Sequence, residues 1–169
     1  MNSKGYTLLE LLIVLFLMGI LAAIASPSFI GFLQRQRVRA AADIVYRSLS
    51  EGRNQATSQK VDYSVDFRRD VDGFSYCVRQ SVSECGNWQS FAGIYFARCT
   101  FPSEGKNFSV TTIDVGGVCT ASFSWMGSVK GRLGGVYFKP SSQSRLCRGV
   151  WTKTLLSVLD NREIDRCQE

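Results

Sequence analysis

Glu10 is the most unusual charged residue of the chain. Leu8 and Leu9 precede it, and no charged residue occurs from Leu11 to Leu33. A carboxylate just inside an apolar run costs a few kcal/mol, so such a group usually has a partner. The six cysteines, Cys77, Cys85, Cys99, Cys119, Cys147 and Cys167, form a second chemical set, and all lie beyond the apolar run. An even number confined there points to disulfides and an oxidising compartment. The closest two are eight residues apart, so there is no C-x-x-C for a redox motif or zinc ribbon. Fifteen pairings are open, and chain proximity favours Cys77–Cys85, Cys99–Cys119 and Cys147–Cys167. Histidine is absent, which excludes the Ser-His, Cys-His and zinc-hydrolase designs. No triad, metal cluster or phosphate loop takes their place, so neither catalysis nor a cofactor is expected. Asp70 and Asp72 beside Gly73 have calcium-loop residue types but read as a plain turn.

The elements that carry these residues follow from composition. The chain has 169 residues, 45% of them apolar and 20% charged, ordinary for one folded domain. As a helix, the charge-free run would span roughly 35 Å, enough to cross a hydrocarbon core of about 30 Å. Ala22, Ala23 and Ala25 would offer a signal-peptide cleavage site after the run, and Glu10 within it argues against that alternative. Beyond the run, Val38, Ala41, Ala42, Val45, Leu49, Gly52 and Ala56 recur every three or four residues, marking one buried helical face. Arg39, Asp43 and Arg47 lie on the other face, spaced for ion pairs. The helix is expected to continue to about residue 58, past a kink at Pro27. Strands are expected at 61–67, 74–78, 94–97, 108–113, 119–125, 136–138 and 154–159, with turns at Asp72-Gly73, Gly116-Gly117 and Gly134-Gly135. The fold class is α+β: a long N-terminal helix, part membrane anchor and part amphipathic, packed on an antiparallel β-rich globular domain. The net charge of +6 gives a positively biased soluble surface, with nucleic acid or acidic lipid as the alternative reading.

Lys4-Gly5-Tyr6 followed by Glu10 and a long apolar run resembles the type IV prepilin family, with Tyr6 where Phe is usual. The resemblance implies a leader at 1–5, cleaved between Gly5 and Tyr6 by a prepilin peptidase that also methylates the new amino terminus. It implies that Glu10 pairs with the Tyr6 amino terminus of a neighbouring subunit, setting the axial step of a filament. Gly19 and Pro27 match family positions between which the helix can stretch on assembly. Residues 6–30 would then form the membrane and filament-core helix, 31–58 its amphipathic continuation and 59–169 the soluble domain. The helix end Leu49-Ser-Glu-Gly52-Arg53-Asn54-Gln55-Ala56 and the strand after it look like the GspH/FimT type of pseudopilin and minor pilin, with Gly52 in place of Ala.

Orientation is contested within the sequence itself. Arg35, Arg37 and Arg39 after the run, against Lys4 before it, would place the domain in the cytoplasm by the positive-inside rule. The cysteines and the leader place it in the periplasm, in a single-pass protein of the bacterial inner membrane that later joins a filament. Some FimT-like members bind DNA through a terminal Gly-Arg-x-Arg element. Here Asn161 precedes Arg162, the second arginine is Arg166, and Glu163 and Asp165 offset the charge. Nucleic acid is therefore a disfavoured partner, and a charged edge that blocks strand pairing is the alternative. The resemblance implies a minor pilin of a type IV pilus that primes assembly and supports motility, adhesion or DNA uptake. Its alternative is the equivalent pseudopilin of a type II secretion system. The partners implied are other pilin subunits, the peptidase and methyltransferase, and the inner membrane.

Overall fold

Thr7 sets where the first helix begins. Its hydroxyl accepts the Glu10 N–H at 3.2 Å and its carbonyl accepts the Leu11 N–H at 3.2 Å, so it is the N-cap of α1 (Leu8–Gln59). The helix ends at Lys60, which takes the left-handed conformation (φ 55°) common just past a helix C-terminus. The computed structural model describes residues 7–101, 116–141, 144, 146–153 and 159–164, with 24–28 and 159–164 described by backbone alone. Contacts divide the chain into two compact units, Met1–Gln36 and Arg37–Glu169.

In the first unit the helical backbone continues across Gly19 and Pro27. Every described side chain from Thr7 to Ala23 is exposed, with Leu8 at 83%. Among the described residues no helix is long and apolar enough to cross a membrane; the expected span also takes in Tyr6 and the side chains of 24–28, outside the description.

The second unit holds every buried side chain that is described, from Val38 onward. Within it Val38, Ala41, Ala42, Val45, Leu49, Gly52 and Ala56 of α1 are all buried, the face expected from their spacing. Gly52 is there because nothing larger fits. A Cβ on it would stand 2.5 Å from Val65 Cγ2, inside van der Waals contact. The α1 stripe packs on the apolar face of a five-stranded antiparallel sheet ordered β3-β2-β1-β5-β6, formed by β1 (Tyr63–Arg69), β2 (Gly73–Gln80), β3 (Gln89–Ala92), β5 (Val118–Phe123) and β6 (Val129–Lys130). A second antiparallel sheet, ordered β4-β7-β8-β9, comprises β4 (Tyr95–Cys99), β7 (Gly135–Lys139), β8 (Cys147–Thr152) and β9 (Leu159–Ile164).

The two sheets share one core. Phe74 of β2 meets Phe96 of β4 at 6.2 Å and Phe138 of β7 at 4.8 Å between ring centroids. Burying a phenylalanine stabilises the fold by roughly 1.5–3 kcal/mol. A disulfide joins Cys99 to Cys119, so β4 and β5 are tied covalently from one sheet to the other.

Several strand expectations need correction. The segment 108–113 lies outside the described residues, as does 154–158, and β9 begins at Leu159 where the last expected strand was to end. None of β3, β6 and β8 was expected: β3 has four residues without alternation, β6 has two, and Gly149 interrupts the β8 pattern although it sits within the strand. Gly134-Gly135 is not a turn. Neither residue has positive φ, and Gly135 opens β7 where a Cβ would stand 2.6 Å from Trp151 Cβ. The Asp72-Gly73 turn is present, as the β1–β2 hairpin loop in which Asp70 N–H donates to Gly73 O at 3.1 Å. At Gly73, as at Gly135, close backbone approach also requires the glycine, with Phe91 O against the place of a Cβ.

Candidate assembly site

Thr7 and Glu10 are three apart, as in a capping box, with Thr7 as the N-cap and Glu10 at the third helical position. Glu10 therefore has a local role, an acid in the first turn where the helix dipole favours negative charge. Its side chain is exposed, so the carboxylate is open to a partner from another molecule. Gly5 and Tyr6 lie outside the described residues. Gly19 meets no atom within 4 Å at the place of a Cβ, so its own unit imposes no limit on size there. Pro27 lies in the helical backbone, and its side chain is not described.

In the second unit the polar groups are engaged in holding the fold. Ser64, Asp66 and Arg68 alternate with Tyr63, Val65 and Phe67 along β1, and so line the sheet face opposite α1. Asp66 is buried there. It accepts Arg79 Nε at 2.6 Å and Thr120 Oγ1 at 2.7 Å, and Arg79 Nη1 donates to the carbonyls of Ser81 and Ser83. The Cys77–Cys85 disulfide closes the same loop. Ser64 adds hydroxyl contacts to Ser81 and Ser122 at 2.8 and 3.0 Å. A shallow groove of about 690 Å³ runs past Asp66, Arg79, Glu84, Trp88 and Thr120, with its buried acid matched by the half-buried Arg79. Sequence reasoning missed this network. The alternation of polar residues in β1 was visible, but that a loop returns to cover them was not.

Asp62 links the end of α1 to the β5–β6 hairpin. Its Oδ2 accepts Lys130 Nζ at 2.6 Å and its Oδ1 accepts the Trp125 N–H at 2.9 Å. Lys130 first, and the Trp125 amide second, hold its carboxyl below the ordinary Asp range. Burial, reinforced by the charge of Glu51, pushes the Tyr76 hydroxyl above the usual tyrosine range. Asp70 is engaged by Arg68 at 3.2 Å and by the Ser75 hydroxyl. Among the described residues no group of three or more Cys, Asp or Glu side chains is placed to hold a metal ion.

Cys147 is also in a disulfide, and Cys167 lies outside the described residues. Arg162 is in β9, paired in register with Gly149 of β8, while Glu163 pairs with Arg148. Arg166 lies outside the described residues, so the two arginines are not brought together into a described site.

Comparisons with known proteins agree with this architecture. Residues 1–26 match a family model described as the Prokaryotic N-terminal methylation motif. The chain is 33% identical over 91 residues to the type IV major pilin protein PilA of Myxococcus xanthus (strain DK1622), covering 50% of this chain and 40% of that protein. It therefore spans less than half the length of that relative. The crystal structure of the type IV minor pilin FimU of Pseudomonas aeruginosa (strain PAO1) aligns with a TM-score of 0.52 at 15% identity, over 81% of this chain and 99% of that one. At that identity the likeness is one of fold: a long N-terminal helix followed by an antiparallel β domain. The chain carries the N-terminal methylation motif over residues 1–26 and is similar, over about half of its length, to a type IV pilin.

Proposed function

We propose that this pilin-like chain is a minor subunit of a type IV pilus, held in the inner membrane by its N-terminal helix before entering the filament. The observation that carries the proposal is the helix face from Leu8 to Ala23, apolar apart from Glu10 and exposed at every described side chain. Leaving that many Leu, Ile, Val and Phe side chains in water is strongly unfavourable, since each gains roughly 1.5–3 kcal/mol on burial. The helix needs cover from outside the chain. Lipid supplies it before assembly, and the helices of other subunits supply it afterwards.

Gly5 and Tyr6 are then the processing site, cut by the prepilin peptidase and methylated at the new amino terminus. Glu10, held in the first turn by the Thr7 cap, meets that amino terminus on the neighbouring subunit. Gly19 and Pro27 are the positions at which the helix can lengthen as the filament forms. The domain with its disulfides lies in the periplasm and then along the filament. DNA uptake through Arg162 and Arg166 is a lesser part of the proposal, tested by gel shift of residues 37–169 at low salt.

Deletion of the gene, with pilus number, protein secretion and transformation measured in parallel, tests the reading. Loss of pili with secretion intact is expected, restored by the wild-type chain and not by Glu10→Ala. Loss of secretion with normal pili would replace the pilus reading with that of a type II secretion pseudopilin.

A further inference from the structure

Trp125 and Met126 form the tip of the β5–β6 hairpin and are 52% and 67% exposed. The loop geometry does not call for them. Gly127 N–H donates to Ser124 O at 2.7 Å and Ser124 N–H to Ser128 O at 2.8 Å, and Gly127 has φ 80°. This is a three-residue hairpin loop, a type I turn closed by a left-handed residue. It requires glycine at 127, while the two preceding positions accept most residues and are commonly polar. The loop is also fixed from outside. The Trp125 N–H is bonded to Asp62, the Ser124 and Ser128 hydroxyls meet at 2.7 Å, and a Cβ on Gly127 would stand 2.8 Å from Thr57 Cγ2. A rigid loop thus holds two large apolar side chains in solvent.

The charge around the tip is positive. Arg53 Nε stands 3.4 Å from the place of a Gly127 Cβ. Lys60 is exposed two residues before Asp62. Asp62, the acid bonded to the loop, is already matched by Lys130, so Arg53 and Lys60 leave a cationic balance.

We propose that the Trp125–Met126 loop is a membrane-surface contact that inserts into the interface of a bilayer containing anionic lipid. Tryptophan is favoured at the depth of lipid headgroups. Basic side chains beside it gain from the negative surface, by roughly fivefold in affinity for each. A convex tip of two side chains is small against the roughly 1,000 Å² of a stable protein interface, whereas it suits shallow insertion into lipid. The contact belongs to the second unit and does not depend on the filament role of the first.

Residues 37–169, which contain every described buried side chain, are the material for the test, since they lack the apolar helix that would itself bind lipid. Flotation with phosphatidylcholine vesicles, with and without phosphatidylglycerol, is measured together with tryptophan emission. The domain is expected to float with the anionic vesicles, with a blue-shifted emission and weaker binding as salt is raised. Trp125→Ser combined with Met126→Ser should weaken binding by about tenfold or more without moving the thermal midpoint, because neither side chain is in the core. Lys60→Gln should weaken it by roughly fivefold. No flotation with anionic vesicles, or equal flotation of the double variant, overturns the proposal. Self-association that the double variant abolishes, in the absence of lipid binding, also overturns it and assigns the tip to a contact between copies.

Discussion

Gly52→Ala separates helix propensity from packing at one atom. In an exposed helix this change would stabilise by about 0.8–1.0 kcal/mol. At residue 52 the added Cβ would stand 2.5 Å from Val65 Cγ2 and 3.5 Å from Phe123 Cδ2. Ordinary carbon contact begins near 3.5–4.0 Å, so Val65 has to move by about 1 Å. Val65 is fully buried and is stiff at χ1 because it is β-branched. Overpacking of this kind costs about 1–3 kcal/mol, so the net expectation is a loss of up to roughly 2 kcal/mol once the propensity gain is subtracted. Val65→Ala alone should lose about 1.5–2.5 kcal/mol for two methyl groups and the space they leave. In that background the clash is gone, and Gly52→Ala should become stabilising by about 1 kcal/mol. The cycle thus predicts a coupling of about 1–3 kcal/mol between the two sites. Guanidinium unfolding of residues 37–169, followed by far-UV circular dichroism, measures each corner, with a constant m-value as the condition for comparing midpoints. If Gly52→Ala stabilises the wild-type domain, or has the same effect with and without Val65, the packing argument is wrong.

The Cys99–Cys119 bridge closes a separation of 20 residues, for which chain entropy gives about 3 kcal/mol. The double Cys→Ala variant should unfold at correspondingly lower denaturant, and an unchanged midpoint would show that the bridge does not constrain the unfolded chain. Asp66→Ala leaves the half-buried Arg79 without its carboxylate, a loss of up to about 3–5 kcal/mol, read in the same unfolding assay. Asp62 has a lowered carboxyl pKa, so its stabilisation is complete above the ordinary Asp range and is lost as pH falls through the lowered value. The stability gap between wild type and Asp62→Asn should therefore close on acidification. It should also shrink with added salt, because the pair is partly exposed. A gap that widens in acid would contradict the assignment. Thr7→Val removes the hydroxyl that caps α1 and should lower the helicity of the first turn in lipid micelles by an amount worth about 1 kcal/mol, measurable by amide exchange at Glu10.

How legible each part was depends on where its stabilising partners lie. The N-terminal helix could be read directly because its determinants are local: an unbroken apolar run, and a buried stripe with a period near 3.6 that the structure reproduces from Val38 to Ala56. The strands β1, β2, β4, β5 and β7 followed from alternation, with ends displaced by a residue or two. By contrast, β3 and β8 draw their stability from neighbours that spacing does not reveal. Ser75 of β2 meets Ser90 of β3 through their hydroxyls, and Gly149 of β8 makes room for the Tyr137 ring of β7.

The same distinction separates the two carboxylates that matter most. Glu10 stands out in the sequence because every neighbour is apolar, and its proposed partner lies on another chain. Asp66 does not stand out, because Ser64, Asp66 and Arg68 read as the solvent face of a strand. It becomes a buried acid only when Arg79 reaches across from β2 and draws the Ser81–Ser83 loop over it. The conspicuous acid is thus the one available to a second molecule, and the inconspicuous one is committed to the fold. Removing Glu10 should leave the second unit as stable as before while impairing assembly, and removing Asp66 should do the reverse damage first, unfolding the domain before any filament contact is tested.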